Sequence, residues 1–481
     1  MNTIQNIAKN VGVLTVSNIT SSTLGFFLLI YIARFLGEEE FGKYSFALSF
    51  TALFLIFIDL GISQLTVREI ARRKYNLNKY LANVLIIRII SSLSILTIIA
   101  IIVRLMIHNP YDRYVIFIFS VYVIINSFTL LFRSIFQAFE KMQYTSITMI
   151  LEKTLLAALV LYALVKGHGL IGVGYCYIFA GLMTAVLSFV IIAVVFTKPA
   201  KAIDFALWKA LVVESIPFGL NILFSTLFFK IDTIMISTFK GDAATGIYNA
   251  AYNPLLALSA IISSVAVSAL FPVMSRYFIS SKDSLNILLV HSSKYMAIIG
   301  FPISVGCFIL ADRFIDLFYA GKYTASVVPF QILALFIPVR LASIISGTLL
   351  SSINMQKFRT FSVGIIAFFN IVLNALMIPH LSYVGASIAT VLSEVGLYMM
   401  FIYIIGKYCV KQKPHQYMMK PLIASIAMGG FLHYFYYINL YLLIITGAIL
   451  YFILLLLLRT FTSDDKFILR SIIHRGTKHG K

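Results

Sequence analysis

The sequence predicts an all-α polytopic membrane protein with 14 transmembrane helices, arranged as two parallel six-helix lobes followed by two C-terminal helices. Three observations predict it: an apolar composition, fourteen apolar segments of spanning length, and an internal repeat. The 481 residues are 60% hydrophobic and only 12% charged, half of the ~25% charged residues in a soluble domain. This composition excludes a soluble enzyme, a disordered tail protein and a nucleic-acid-binding module.

Fourteen segments are long and apolar enough to cross a bilayer, which takes about 20 mostly apolar residues. Apolar residues occur on every side of each predicted helix. This is expected for helices in lipid, where every backbone polar group must bond internally. The predicted spans, numbered 1 to 14, are 11–33, 44–66, 81–103, 114–137, 147–166, 170–196, 211–236, 247–271, 295–318, 327–350, 358–378, 385–406, 420–437 and 441–459.

The distribution of Lys and Arg predicts the orientation. With the N-terminus inside, the inner loops and tails, counted together with the span ends that border them, hold 25 of the 38 Lys and Arg residues, whereas the outer loops, counted in the same way, hold 7. Basic residues accumulate in cytoplasmic loops, so we expect a multi-pass protein of the cell membrane with both termini in the cytoplasm. Most of the net charge of +20 is then due to basic residues in the cytoplasmic loops, and no nucleic-acid partner is expected.

An internal repeat relates two segments 204 residues apart, FLGEEEFGKYSFAL from Phe35 and FKGDAATGIYNAAY from Phe239. A second, shorter repeat relates IGVG at Ile171–Gly174 to VGAS at Val384–Ser387. The identical or similar pairs in the first repeat are Phe35 and Phe239, Gly37 and Gly241, Glu38 and Asp242, Gly42 and Gly246, Tyr44 and Tyr248, and Ala47 and Ala251.

Both copies begin on the same side of the membrane because six spans separate them. Parallel repeats of this kind are related by an axis along the membrane normal and suit alternating access by rocking. The sequence therefore predicts an N-lobe at 1–205 (spans 1–6), a C-lobe at 206–410 (spans 7–12), and a region at 411–481 with spans 13–14 and a basic cytoplasmic tail. It favours a transporter over a channel or an anchor.

The motifs of both copies are similar to those of a known family. They are RFLGEEEFGKYSFALSF, IDLGISQLTVREIAR, KIDTIMIS, GIYNAAY and NIVLNALMIPHLSYVGASIA. The whole chain resembles the polysaccharide transporters, or Wzx-type flippases, of the MOP (MATE-like) superfamily. The resemblance implies translocation of a lipid-linked oligosaccharide, on a polyprenyl phosphate or diphosphate, from the inner to the outer leaflet for surface polysaccharide or glycan assembly.

Several expectations accompany this resemblance. The protein is expected to be a transporter and not an enzyme, to work as a monomer among membrane lipids, and to act beside glycosyltransferases or a polymerase of the same pathway. No cofactor is expected, and either Na⁺ or H⁺ is a candidate coupling ion. Two alternatives stay open, a MATE-type cation-coupled multidrug antiporter and a lipid II-type flippase.

Cations within the spans are the candidate contacts for a substrate phosphate. An ionisable residue inside a span usually faces a cavity or a partner, and Arg can bind phosphate in a bidentate manner. Arg88 and Arg340 have no acidic neighbour three or four residues away. We therefore expect both, with Lys153 and Lys230 at other depths, to line a cavity. A salt bridge between Arg340 and Glu394 is the alternative.

Arg133 is a further cation near the inner end of span 4. It is either part of this cationic lining or snorkels to the lipid headgroups. The carboxylates Asp59 and Glu394 are candidates for proton coupling. Pro217 and Gly219 in span 7 predict a hinge, because sharp helix bends occur at proline and glycine.

A second cluster predicts a cation site. Asp232, Asn370, Asn374 and Thr390 lie at similar depth in the outer halves of spans 7, 11 and 12. Carboxylate, amide and hydroxyl oxygens are the ligands that hard cations prefer. The resemblance implies Na⁺ here, because some relatives hold Na⁺ with corresponding residues, although this chain has Asn374 where those relatives carry Asp. The alternative is that Lys230 pairs with Asp232 as a gate and the asparagines bridge helices.

Overall fold

A computed structural model describes residues 3–72, 76–197, 203–409 and 412–461, without the side chains of residues 3–9 and 11. The predicted basic tail beyond residue 461 lies outside these residues. The described residues contain fifteen α-helices and no β-strand. The helices are α1 (Thr3–Asp59), α2 (Ile62–Ala71), α3 (Leu77–Met106), α4 (Pro110–Ala138), α5 (Met142–Val165), α6 (Gly169–Ile191), α7 (Phe205–Lys240), α8 (Asp242–Ser280), α9 (Lys282–Ile309), α10 (Ala311–Tyr319), α11 (Val327–Ala334), α12 (Phe336–Ser352), α13 (Gln356–Tyr408), α14 (Pro414–Tyr434) and α15 (Leu440–Leu457).

Ten helices in the described part are long and apolar enough to cross a membrane, or eleven if the bent pair Thr324–Ala334 and Phe336–Ser352 is one span. Two of the ten are α1 and α13, with 57 and 53 residues. At 1.5 Å per residue each would measure roughly 80 Å or more, about twice a whole bilayer. Both contain a non-helical residue, Gly37 in α1 and Ser382 in α13, so each covers two predicted spans. The count of fourteen stays a prediction.

The internal repeat is visible in the backbone. Gly37 has φ 80° and ψ 177°, and its counterpart Gly241 has φ 84° and ψ −177°. A positive φ of this size favours glycine, which has no Cβ atom. The two copies therefore turn in the same way between consecutive helices, as the sequence repeat predicts, while the lobe boundaries at 1–205, 206–410 and 411–481 stay predictions.

The two copies meet in a reciprocal contact between α1 and α8. A Cβ atom at Gly42 would lie 1.8 Å from the carbonyl oxygen of Asp242, and one at Gly246 would lie 1.8 Å from that of Glu38. Gly246 is the repeat counterpart of Gly42, and Asp242 is that of Glu38. We call this the glycine crossing. Small residues let helix backbones approach closely in membranes, and here each copy supplies one glycine and one carbonyl group.

A second close approach joins the turn after α1 to α7. Gly61 has φ 78°, and a Cβ atom there would lie 2.4 Å from the backbone nitrogen of Gly219. Beside it, Arg68 Nη2 lies 2.7 Å from Glu214 Oε2. Helix α7 runs continuously through Pro217. Gly219 therefore permits close packing, and the hinge at Pro217 and Gly219 stays a prediction. The predicted topology places this contact inside and the glycine crossing outside.

The start of α7 is anchored to α3. Asp204 caps α7 by accepting a hydrogen bond from the backbone N–H of Leu207 at 3.1 Å, and it lies 2.7 Å from Lys79 Nζ. Trp208, one turn further on, donates from Nε1 to Asn83 Oδ1 at 2.7 Å. The hydrogen bond and ion pair with Lys79 lower the pKa of Asp204. These contacts fix where the chain enters α7, the helix that carries Asp232.

Candidate functional site

Asp232 on α7 is the centre of a buried polar cluster. Its Oδ1 accepts a hydrogen bond from Asn374 Nδ2 at 2.6 Å, and its Oδ2 accepts one from Thr390 Oγ1 at 2.7 Å. Asn374 also donates to Asn370 Oδ1 at 3.0 Å. The structure thus brings together all four residues that the sequence predicts at one depth. Asn370 and Asn374 lie one turn apart on α13 before its break at Ser382, and Thr390 lies after it.

The cluster has a free acceptor of the kind that a cation needs. The Oδ1 atom of Asn374 is buried without a hydrogen-bond partner among the described residues. A buried polar atom in a native protein normally has a partner. A single carboxylate surrounded by amide and hydroxyl oxygens fits a monovalent hard cation. The alternative ion pair between Lys230 and Asp232 is not found among the described residues, because amides and hydroxyls occupy both carboxylate oxygens.

Tyr248 is a member of the cluster that the sequence prediction missed. Its hydroxyl donates to Asp232 Oδ2 at 2.9 Å and lies 3.0 Å from Thr390 Oγ1. The repeat contained the signal, because Tyr44 is the counterpart of Tyr248 and its hydroxyl lies 2.6 Å from that of Tyr177. The shorter repeat at 171–174 and 384–387 makes Tyr177 the counterpart of Thr390.

The first copy lacks the carboxylate of this arrangement. The residue 204 positions before Asp232 is Leu28, which is buried. The hydroxyl pair therefore occurs in both copies, whereas the acidic centre occurs in the second copy only. The second copy thus adds a carboxylate to a pair of hydroxyl groups that both copies contain.

Arg340 is paired with Glu394, which was the alternative prediction for this residue. Its Nη1 atom lies 2.5 Å from Glu394 Oε1, and its Nε atom donates to Ser259 Oγ at 3.1 Å. The guanidinium also lies over the ring of Phe229, 4.6 Å from its centroid. The expectation that Arg340 lacks an acidic partner is wrong, because the partner comes from another helix and not from a neighbouring turn of α12.

Arg88 is also paired, which corrects the prediction of an unpartnered cation. It forms an ion pair and hydrogen bond with Asp59, and it donates to the carbonyl oxygen of Ser127 on α4. Its side chain is 1% exposed, so the described residues shield it almost completely from solvent. Both charges are buried and each needs the other, because a buried charge left alone is strongly destabilising.

Arg133 lies in an ion pair as well, so the snorkelling prediction is wrong. Its Nη2 atom lies 2.8 Å from Glu152 Oε2 on α5, and Nε donates to Thr148 at 3.2 Å. Lys153 and Lys230 differ from the three arginines. Both are half-buried, and neither has an acidic partner within the part of the chain that the structure describes. They are the members of the predicted lining that no carboxylate of the described residues contacts.

An apolar cavity of about 560 Å³ lies where α9, α14 and α15 meet α8. Its lining contains no charged residue and is mostly aliphatic and aromatic, and it includes Leu258, Pro302, Met428, Ile444 and Phe452. Phe26 of α1 also reaches it. Helices α14 and α15, predicted spans 13 and 14, thus form one wall of a cavity that suits a hydrocarbon chain.

Comparisons with known proteins agree with the family that the sequence resembles. A family model described as "Polysaccharide biosynthesis protein" matches residues 7–278. The capsular polysaccharide biosynthesis protein CapF of Staphylococcus aureus is 22% identical over 408 residues, which cover 81% of this chain and 96% of CapF.

Solved structures share the fold. The lipid II flippase MurJ, in an inward closed conformation, has a TM-score of 0.78 at 14% identity, and the match covers 91% of this chain and 97% of MurJ. An inward-facing multidrug resistance MATE family transporter of the MOP superfamily has a TM-score of 0.61 at 15% identity, covering 80% of this chain and 94% of its own. The predicted MATE-like, all-helical membrane fold is confirmed.

Proposed function

Since this chain belongs to the polysaccharide biosynthesis protein family, we propose that it is a flippase for a lipid-linked oligosaccharide. It moves a glycan on a polyprenyl phosphate or diphosphate from the inner to the outer leaflet of the cell membrane. Both termini lie in the cytoplasm. The protein works as a monomer and transports without catalysing a chemical reaction. Glycosyltransferases or a polymerase of the same pathway act beside it.

The apolar cavity is the observation that carries this proposal. A polyprenyl chain has no polar group to satisfy, so the favourable site for it is a wall of aliphatic and aromatic side chains. The cavity beside α14 and α15 supplies such a wall and has the volume of a ligand site. An amphipathic drug cation needs an acidic group nearby, and none of the lining residues is acidic.

The contacts between the two copies support alternating access. At the predicted outer side the copies touch through the glycine crossing, and at the predicted inner side Gly61 touches Gly219. Both contacts bring backbone atoms of the two copies close together, and at the inner side the ion pair of Arg68 with Glu214 lies beside them. Rocking about such contacts opens one side while the other closes, which is how parallel-repeat transporters expose a site to each side in turn.

Na⁺ is our proposed coupling ion, held by Asp232, Asn370, Asn374, Thr390 and Tyr248. The support is the unpartnered Asn374 Oδ1 beside the carboxylate. The ion would supply a positive charge that neutralises Asp232 and draws α7, α8 and α13 together. Proton coupling through Asp59 or Glu394 stays an alternative, and both of these carboxylates are in ion pairs in this structure.

The substrate phosphate is proposed to contact Lys153, Lys230 and Arg340. The two lysines have no acidic partner among the described residues, and Arg340 shares its charge with Glu394. A lipid II-type flippase is the second candidate, because the fold is shared with MurJ. It differs from our proposal only in the glycan, so a transport assay with both substrates separates the two.

The test is transport in proteoliposomes. We expect the protein to flip a fluorescent undecaprenyl-diphosphate oligosaccharide, measured by dithionite quenching from one side, faster than protein-free vesicles do. Parallel arms use fluorescent lipid II and the drug cation ethidium. Equal rates with and without protein would overturn the proposal, and ethidium transport without lipid transport would replace it with the antiporter.

A matched pair of variants tests the apolar cavity. A Cβ atom at Gly306, on the cavity wall, meets no heavy atom within 4 Å, so Gly306→Leu fills the cavity without a clash at Cβ. We expect it to slow flipping several-fold. Gly430→Leu is the control, because Gly430 of α14 is exposed, equally unobstructed and outside the lining. Equal rates for both variants would show that the cavity does not hold the lipid chain.

A further inference from the structure

A second cavity, about 400 Å³ in volume, lies between α7, α8, α12 and α13. It begins at the Arg340 and Glu394 pair and continues along one face of α12 to Ser351, where Arg359 closes its other end. Ser351 lies eleven residues after Arg340, which corresponds to ~16 Å of helix. The cavity is therefore a channel along α12, and its Arg359 end lies at the loop between predicted spans 10 and 11, on the predicted inner side.

The lining of this cavity carries more positive than negative charge. It contains two guanidinium groups, Arg340 and Arg359, and one carboxylate, Glu394. Arg359 donates from Nη1 to Ser351 Oγ at 3.0 Å, and no acidic partner for it is found in the described ranges. One positive charge in a half-buried cavity is thus left without a counter-charge from the described protein.

An unpartnered hydroxyl lies on the cavity wall, three residues after Arg340 on α12. Ser343 lines the cavity and is 3% exposed, and its Oγ atom has no hydrogen-bond partner among the described residues. A buried hydroxyl without a partner is uncommon in native proteins. A negatively charged ligand that accepts hydrogen bonds would compensate Arg359 at one end of the cavity, and it would satisfy Ser343 when it moves towards Arg340.

We propose that this cavity binds a phosphate or diphosphate group, which meets Arg359 at the inner end and then Arg340 and the hydroxyl group of Ser343 at the other end. The inference rests on the proposed function, since it adds a position within the second copy to the contacts proposed there for the phosphate of the lipid-linked substrate. Arg359 is the residue that sequence reasoning did not single out. Guanidinium groups match phosphate oxygens in a bidentate geometry that Lys cannot reproduce.

Glu394 sets the affinity of this site. While it holds Arg340, only Arg359 is free to meet an anion at the inner end. An anion that moves along α12 competes with Glu394 for Arg340. Thr390 of the candidate cation site lies one helical turn from Glu394 on α13, so the two sites share one face of the same helix.

The experiment measures binding by calorimetry, using the full chain in phosphatidylcholine nanodiscs. Inorganic diphosphate and farnesyl diphosphate are separate probes, and added phosphatidylglycerol tests an ordinary lipid headgroup. We expect both diphosphates to bind, and Arg359→Gln to weaken both by roughly 10- to 100-fold, since a charge-assisted hydrogen bond contributes ~1.5–3 kcal/mol and 1.4 kcal/mol is tenfold. If farnesyl diphosphate binds more tightly than inorganic diphosphate, the phosphate group that the cavity binds belongs to an isoprenoid lipid. If phosphatidylglycerol competes, that phosphate group belongs to bulk membrane lipid.

Two further variants distinguish the cavity from general surface charge. Lys357→Gln removes a positive charge two residues away, from an exposed side chain outside the cavity, and should leave binding within twofold. Glu394→Gln should tighten binding, because it frees Arg340. Undiminished binding by Arg359→Gln, equal loss in Lys357→Gln, or absence of binding to the wild type would overturn the site. The flipping rate of the wild type is a separate readout, so failure of the site and failure of the proposed function are distinguishable.

Discussion

The glycine crossing gives the sharpest prediction, which is that Gly42→Ala opens the contact between the two copies. A Cβ atom at this position would lie 1.8 Å from the Asp242 carbonyl oxygen, whereas ordinary contacts begin at 3.4 Å. The obstacle is the backbone of Asp242, so no side-chain rotation can relieve the clash. The helices α1 and α8 must separate by up to about 1.6 Å, the difference between these two distances.

The size of the effect follows from overpacking. Inserting a methyl group into a packed contact costs about 1–3 kcal/mol, and a lost Cα–H···O contact adds ~0.5–1 kcal/mol. A change of 1–3 kcal/mol shifts an equilibrium by roughly 5- to 150-fold, here toward the state with the crossing open. Gly246→Ala meets the Glu38 oxygen at the same 1.8 Å, so we expect an equal shift. The double variant should add little, because one separation relieves both clashes.

The assay is a distance measurement by double electron–electron resonance. Spin labels replace the exposed residues Glu39 and Lys240, after substitution of the three native cysteines. We expect the wild type to show mainly the short distance, and Gly42→Ala and Gly246→Ala to show a longer one. Gly25→Ala is the control, since a Cβ atom at Gly25 of α1 meets nothing within 4 Å. Distance distributions that are the same in all four proteins would refute the reasoning.

Three other predictions follow from the site and from α7. Asn374→Asp should strengthen Na⁺ binding and Asp232→Asn should abolish it, measured by Na⁺-dependent thermal shift; identical responses of both variants to Na⁺ and K⁺ would count against the cation site. Arg88→Ala should lower the free energy of unfolding by about 3–5 kcal/mol, because it leaves a buried carboxylate alone, and a denaturation midpoint equal to the wild type would contradict this. Because the pKa of Asp204 is lowered in the folded state, its stabilising contribution is complete above the carboxyl group's ordinary pKa and is lost as pH falls through the lowered value. Fluorescence of Trp208, the single tryptophan, should report this acid transition in the wild type and not in Asp204→Asn.

Depth along a helix could be predicted from the sequence, and this is why the cation cluster was foreseen. The positions of Asp232, Asn374 and Thr390 within their spans fix their height in the membrane, since each residue of a helix rises 1.5 Å. Spans that carry polar groups at one height tend to bring them together, because a polar group in the membrane interior needs a partner. Tyr248 was not predicted as a member of the cluster, because tyrosine is common at helix ends. The contacts of its hydroxyl group with Asp232 and Thr390 are seen only in the structure.

The pairing of the arginines could not be predicted in the same way. Local spacing reveals partners on the same helix, and Arg88, Arg133 and Arg340 all find their carboxylates on other helices. The rotation of each helix about its axis decides which face meets which neighbour. That rotation results from packing of the whole bundle, and an apolar surface on every side leaves no amphipathic stripe from which to predict it.

The sequence by itself determined the membrane environment, the helical fold class and the repeat, because composition and apolar length dictate what a chain can do in a lipid bilayer. It also determined the turns at Gly37 and Gly241, whose shared positive φ follows from shared glycines. Only the tertiary structure decided which charges are neutralised and which stay free. The sequence favoured Arg88 as a substrate contact, but its side chain is buried in an ion pair with Asp59. Arg359 was not among the predicted site residues, yet it lines a cavity. The physical reason is that the cost of a buried charge depends on what surrounds it in three dimensions, and the chain order does not contain that information explicitly.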